Sequence, residues 1–194
     1  RFMDRVVASA PNQNRIFPAI ATSSNDVFLA GEDVTQFKVG TSGIAEPNLY
    51  NNRGLLGYND GDDAARDKIR AFLAKRDFQS QNVLEQDIAT ATAKAVDNTA
   101  QFAEAQENAT PFTTQFEEDR VSRQMRSVAE TIKIRQFLNV SRQMFYVSTG
   151  GYDTHSGQAN SIGGLHAQLA AAISSFREAM IEIGEWNNVV VFTA

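Results

Sequence analysis

Cysteine is missing from the 194 residues, histidine occurs twice and tryptophan once. The first absence removes disulfides, thiolate metal sites and cysteine nucleophiles together, and it permits an oxidising compartment. Positive charge is also short. Eighteen Lys and Arg face 23 Asp and Glu, for a net charge of -5. No general positive field exists to gather phosphate backbones or anionic lipid, so nucleic acid is not an expected partner. No apolar run approaches the roughly 18 to 20 residues that cross a bilayer, so no membrane span is expected. A phosphate-cradling glycine loop, a nucleophile elbow and a zinc-protease helix motif are absent as well.

What remains is an ordinary globular composition, 42% hydrophobic and 21% charged, in a chain long enough to bury a real core. Residues 1–60 alternate short apolar runs ("RIFPAIA", "DVFLAG", "TQFKVG") with turn formers and read as short strands and loops. Residues 61–140 read as helical. From Asp62, with Asp62 or Asp63 as N-cap, the residues Ala65, Ile69, Phe72 and Leu73 recur at helical spacing. A second tract, 80–108, carries Val83, Leu84, Ile88, Ala91, Ala95 and Val96 on one stripe and stops at "NATP". A third helix is expected from Thr114, which has capping-box spacing to Glu117. Val121, Met125, Val128 and Ile132 mark its buried face, and Asn139 its close.

Residues 141–194 read as strand, helix, strand. "MFYVS" and "NNVVVFTA" are short runs of strand formers, and between them Ile162, Leu165, Leu169, Ile173, Phe176, Met180 and Ile183 keep a 3.6 period up to Gly184. This pattern predicts an α/β fold with a parallel sheet flanked by helices. Arg1 stands where an initiating methionine would, and Ala194 falls at a strand end. The chain is therefore expected to be a fragment of one larger α/β domain, incomplete at both ends.

The segment "STGGYDTHSGQ", 148–158, follows the first of these strands at its carboxyl end, where ligands of open α/β sheets collect. On extended backbone Asp153 and His155, two apart, face the same way and could offer an oxygen and a nitrogen to one divalent cation: zinc, manganese or magnesium. Gly150 and Gly151 allow positive φ or close approach, and Tyr152 could wall the site. The alternative is a polar turn, with Asp153 and Ser156 as turn and cap residues and His155 a surface imidazole. His166 is read as a partly buried core histidine. Arg120, Arg123, Arg126, Lys133 and Arg135 read as a solvated helix face. "GYNDGDD" reads as a helix-entry turn, because it lacks the alternating ligands and final glutamate of a calcium loop.

"SRQMFYVSTGGYDTHSGQ" and "LHAQLAAAISSFREAMIEIGEWNNVVVFTA" together resemble a bacterial family, domain of unknown function 1501. The likeness rests on the apolar strand, on Gly150, Gly151, Tyr152, Asp153, Thr154 and His155, and on the late aromatic Phe176 of the long helix. The upstream strand-rich and helical segments fit more loosely. The family is similar to the alkaline phosphatase and sulfatase superfamily. That resemblance implies a partial alkaline-phosphatase-like sheet, Asp153 and His155 as ligands of a divalent metal, and hydrolysis of a phosphate or sulfate ester on a small or polymeric substrate. It also implies a twin-arginine leader and export to the periplasm or beyond. The competing expectation is a non-catalytic extracellular structural or binding protein that keeps the fold.

Overall fold

A computed structural model of the protein describes residues 2–9, 14, 16–22, 29–34, 36–41 and 82–193. The chain divides into two compact units, residues 1–43 with 108–194, and residues 44–107. The first contains helix α1 (Phe2–Ala8), strands β1 (Ala19–Ala21) and β2 (Phe37–Lys38), helix α3 (Arg120–Lys133), strand β3 (Met144–Tyr146) and helix α4 (Gln158–Glu182). Within the second lies helix α2 (Val83–Glu107). The helix expected from Asp62 and the "GYNDGDD" turn fall outside the described residues.

The α/β reading holds. The three strands form a parallel sheet in the order β2–β1–β3. Ala19, Ile20 and Ala21 stand opposite Met144, Phe145 and Tyr146. Alternation along β3 sends its side chains to two different cores. Met144 and Tyr146 pack with Ala19, Ala21, Leu29, Val34 and the α1 residues Met3 and Val7. Phe145 and Val147 pack against the α3–α4 core. The sheet is thus covered by helix on both faces, which suits the apolar character of β1, buried along its whole length.

Helix α1 was not expected from a stretch that reads as strands and loops. It forms because Met3 and Val7, four apart, share one face over the sheet. Its Asp4 carboxylate accepts N–H bonds from Glu32, Asp33 and Val34, at 2.9, 3.0 and 3.2 Å. Those bonds hold the carboxyl well below its usual range. The chain passes so close beneath this carboxylate at Gly31 that any Cβ would collide with it.

The expected buried face of α3 is present. Val121, Met125, Val128 and Ile132 meet Ala172, Phe176, Ala179 and Met180 of α4. The start of α3 differs from expectation. Asp119, not Thr114, caps it, accepting from Val121 N (2.9 Å) and Ser122 N (3.1 Å). Burial raises the Asp119 pKa, but the Ser122 hydroxyl and these amides outweigh it and leave the carboxyl below its usual range. Thr114 is taken by a distant partner: its N–H and hydroxyl, with the Thr113 N–H, bind the Glu182 carboxylate at 2.9, 2.7 and 2.9 Å. Aspartate is the better N-cap of the two, and the tertiary contact occupies the threonine. The helix ends at Lys133, earlier than the expected close at Asn139, which instead ends the turns that follow, in the left-handed conformation at φ 55°.

Helix α4 matches its predicted periodicity and ends before Gly184, whose φ is 73°. The second strand of the expected crossover is not formed among the described residues. Val189 takes extended dihedrals, but residues 189–193 make no ladder. A short 3-10 turn, Trp186–Asn188, precedes them, and Trp186 and Val189 pack on the α3–α4 core. An ion pair between Arg135 and Glu185 fixes that turn to the end of α3. Strand-forming residues set the backbone here, but pairing also requires a neighbour, and Val190 and Phe192 remain exposed.

Helix α2 carries alanines that raise its propensity, and the Asn82 side chain accepts from Leu84 N at its start. The expected stripe is not the buried face: Val83, Leu84, Ile88, Ala91 and Ala95 are exposed, and the buried residues Phe102 and Ala105 lie outside it. No described helix is long and apolar enough to cross a membrane.

Two expectations follow. Phe176, 2% exposed, anchors the α3–α4 core, so Phe176→Ala should lower unfolding free energy by about 3–5 kcal/mol in guanidinium titration. Glu182 is held down from 4.5 to about 2, chiefly by the Thr113 N–H and then the Thr114 hydroxyl. A depressed carboxylate contributes stability above its unfolded pKa that is lost as pH falls toward the folded one. The thermal midpoint should therefore fall between pH 4.5 and about 2, and Glu182→Gln should flatten that part of the curve.

Candidate functional site

The loop 147–157 leaves the carboxyl end of β3, where a parallel sheet presents its strand ends. Gly151 adopts φ 93°, whereas Gly150 is not in the left-handed region. A Cβ on Gly151 would also stand 3.3 Å from Leu165 Cδ2. Glycine is therefore required at the second position of the pair, where the chain turns against α4. Gly157, at φ 72°, forms the N-cap of α4 without a side-chain cap bond, so Ser156 is not the cap of the turn reading.

The turn brings Asp153 and His155 together. His155 Nδ1 lies 3.0 Å from Asp153 Oδ1, with side chains 88% and 84% exposed respectively. With a proton on Nδ1 this is a hydrogen bond from imidazole to carboxylate. Without one, an oxygen and a nitrogen lone pair stand side by side. A 3.0 Å separation is close to what two ligands subtend at about 90° around a cation bound at about 2.1 Å. Tetrahedral coordination at similar bond lengths would open the pair to about 3.4 Å. The separation is also that of an ordinary hydrogen bond between two exposed side chains. Among the described residues, no third His, Cys, Asp or Glu joins them.

Beside the pair, Tyr152 lies over His166 with ring centroids 5.8 Å apart. The Tyr152 hydroxyl is enclosed without a hydrogen-bond partner among the described residues. His166 is exposed, not part of the core. Its place on the apolar stripe misleads because α3, with 14 residues, is shorter than α4, with 25. At about 1.5 Å per residue, α3 covers only part of α4, and the part packed on the shared core is Leu169 onward. The basic residues of α3 divide. Arg120, Arg123 and Arg126 are exposed, as a solvated face would be. Lys133 sits 4.1 Å over the Phe112 ring, and Arg135 pairs with Glu185.

Sequence reasoning missed Gln124, which is 1% exposed. Its Oε1 accepts from Thr22 Oγ1 (3.0 Å) and Ser148 N (3.2 Å), and its Nε2 donates to Ser148 O (2.8 Å) and Arg120 O (3.2 Å). Every donor and acceptor of the amide is used. The local signal was faint: Gln124, Ser127 and Thr131 form a second stripe at helical spacing, all buried.

Gly151→Ala should cost about 1–2 kcal/mol of stability, since a side chain resists φ 93°. Gly150→Ala, whose Cβ would meet nothing, should change it by less than about 0.5 kcal/mol; paired urea titrations measure both.

Compared with curated proteins and with solved structures, the chain finds no match. A protein-family comparison matches residues 44–194, most of the chain and all of this loop. The chain belongs to the family described as Protein of unknown function (DUF1501).

Proposed function

We propose that the chain is part of an exported, metal-dependent hydrolase of alkaline phosphatase or sulfatase type, acting on a phosphate or sulfate ester. The observation that carries this reading is the 3.0 Å juxtaposition of Asp153 Oδ1 and His155 Nδ1 at the carboxyl end of a parallel strand. Asp153 and His155 supply two ligands of a divalent cation, and residues elsewhere complete its coordination. A cation so held supplies a Lewis acid for an ester oxygen. The separation of the two donors suits manganese or magnesium at least as well as zinc.

The family resemblance adds the class of reaction and the exported location, by analogy alone. A second reading, a non-catalytic extracellular binding or structural protein, takes its support from the exposure of the same pair. Catalytic carboxylates and imidazoles usually work in water-excluded surroundings that strengthen their fields, and these two side chains stand in solvent.

Titration of the full-length protein with Mn²⁺ by calorimetry should show binding that Asp153→Ala and His155→Ala each weaken by about 10-fold or more. Hydrolysis of p-nitrophenyl phosphate or sulfate should fall in the same variants. Undiminished Mn²⁺ binding in both would remove the ligand assignment. Intact binding without any hydrolysis would favour the second reading.

A further inference from the structure

The Asp153–His155 loop begins from a strand end that is held from outside the sheet. Ser148 is the second residue after β3. Both its backbone groups are bound by one side chain, the N–H by Gln124 Oε1 at 3.2 Å and the carbonyl by Gln124 Nε2 at 2.8 Å. This two-bond pairing substitutes for the peptide of a neighbouring strand. The same amide oxygen takes the hydroxyl of Thr22, one residue past β1. That hydroxyl also lies 3.1 Å from Tyr146 O, and the Thr22 N–H bonds Tyr146 O at 3.2 Å. One turn further along α3, Ser127 Oγ lies 3.2 Å from Gly40 O, just beyond β2. The polar stripe of α3 therefore reaches the carboxyl ends of all three strands.

We propose that Gln124 is a positioning residue for the candidate site: it fixes the origin of the loop that presents Asp153 and His155. The proposal rests on the metal reading of that loop for its functional consequence, though not for its geometry. Between Ser148 and Asp153 the contacts among the described residues include Gly151 against Leu165 and Tyr152 over His166. If Ser148 is released, the carboxylate and imidazole lose their common starting point, whereas the α3–α4 core keeps its apolar contacts. Removing the amide takes away both bonds that Gln124 gives to the Ser148 backbone, which favours local opening.

The test is amide hydrogen exchange on the full-length protein carrying Gln124→Met, similar in length and without hydrogen-bonding atoms, with Mn²⁺ titration of the same samples. Amides from Ser148 to His155 should exchange roughly tenfold faster or more, while those of Ala172 to Met180 stay within about twofold. Mn²⁺ affinity should fall by about tenfold. Gln124→Leu, also without hydrogen-bonding atoms, should show the same local pattern, and it carries the test if Gln124→Met does not fold. Unchanged exchange at Ser148–His155 overturns the proposal. So does a uniform acceleration across both segments, which would mean a purely structural role. Faster local exchange with unchanged Mn²⁺ affinity overturns the link to the site. If the unsubstituted protein binds no Mn²⁺, the metal reading fails on its own, and the exchange pattern still decides what Gln124 does.

Discussion

The buried amide of Gln124 is the point on which sheet, helix and loop depend together. A side-chain amide in an apolar interior is costly unless each of its groups is bonded. Here two lone pairs and two protons meet Thr22, Ser148 and Arg120. The cost of burial becomes a source of specificity, because an alternative packing of α3 on the sheet would strand several polar atoms at once. Apolar contacts of the α3–α4 kind tolerate small slides, and this network does not. Helix α3 thus performs two separate tasks. One face closes a hydrophobic core with α4, and an adjacent polar stripe ties down the strand ends.

The same division explains what could be read from the sequence. Helices α3 and α4 were legible because their buried residues follow the helical period without interruption, and β3 because its strand formers are dense. Helix α1 was not, since seven residues give barely two turns and its burial depends on a sheet built from distant residues. Thr114 and Asp119 are both good capping residues, aspartate the better, and the reach of Glu182 occupies the threonine. Residues 189–193 show the opposite failure. Their composition favours extended backbone, and Val189 adopts it, but a strand is a relation between two segments.

At the candidate site, Asp153 and His155 were legible as a pair because a period of two is short enough to survive irregular backbone. They lie on a loop that turns at Gly151, and the requirement at that glycine, as opposed to Gly150, rests on its φ of 93° and on Leu165 in the following helix. Gln124 was not legible. Glutamine is ordinary on a helix surface, and nothing local distinguishes a solvated amide from one that replaces a strand. His166 stood on a true apolar stripe, but the stripe extends beyond the partner helix that would bury it.

Strand β3 joins two cores of very different sequence origin. The core on its α3–α4 side is drawn from residues after 110, close together along the chain. The other requires residues near the N-terminus, and the bond between Thr22 and Tyr146 closes 124 residues. Loop-closure entropy makes the second assembly the dearer one. The helical hairpin can therefore condense while strands β1 and β2 are still searching for their place in the sheet with β3. Pulse-labelled exchange during refolding would register this as late protection of β1 relative to α4.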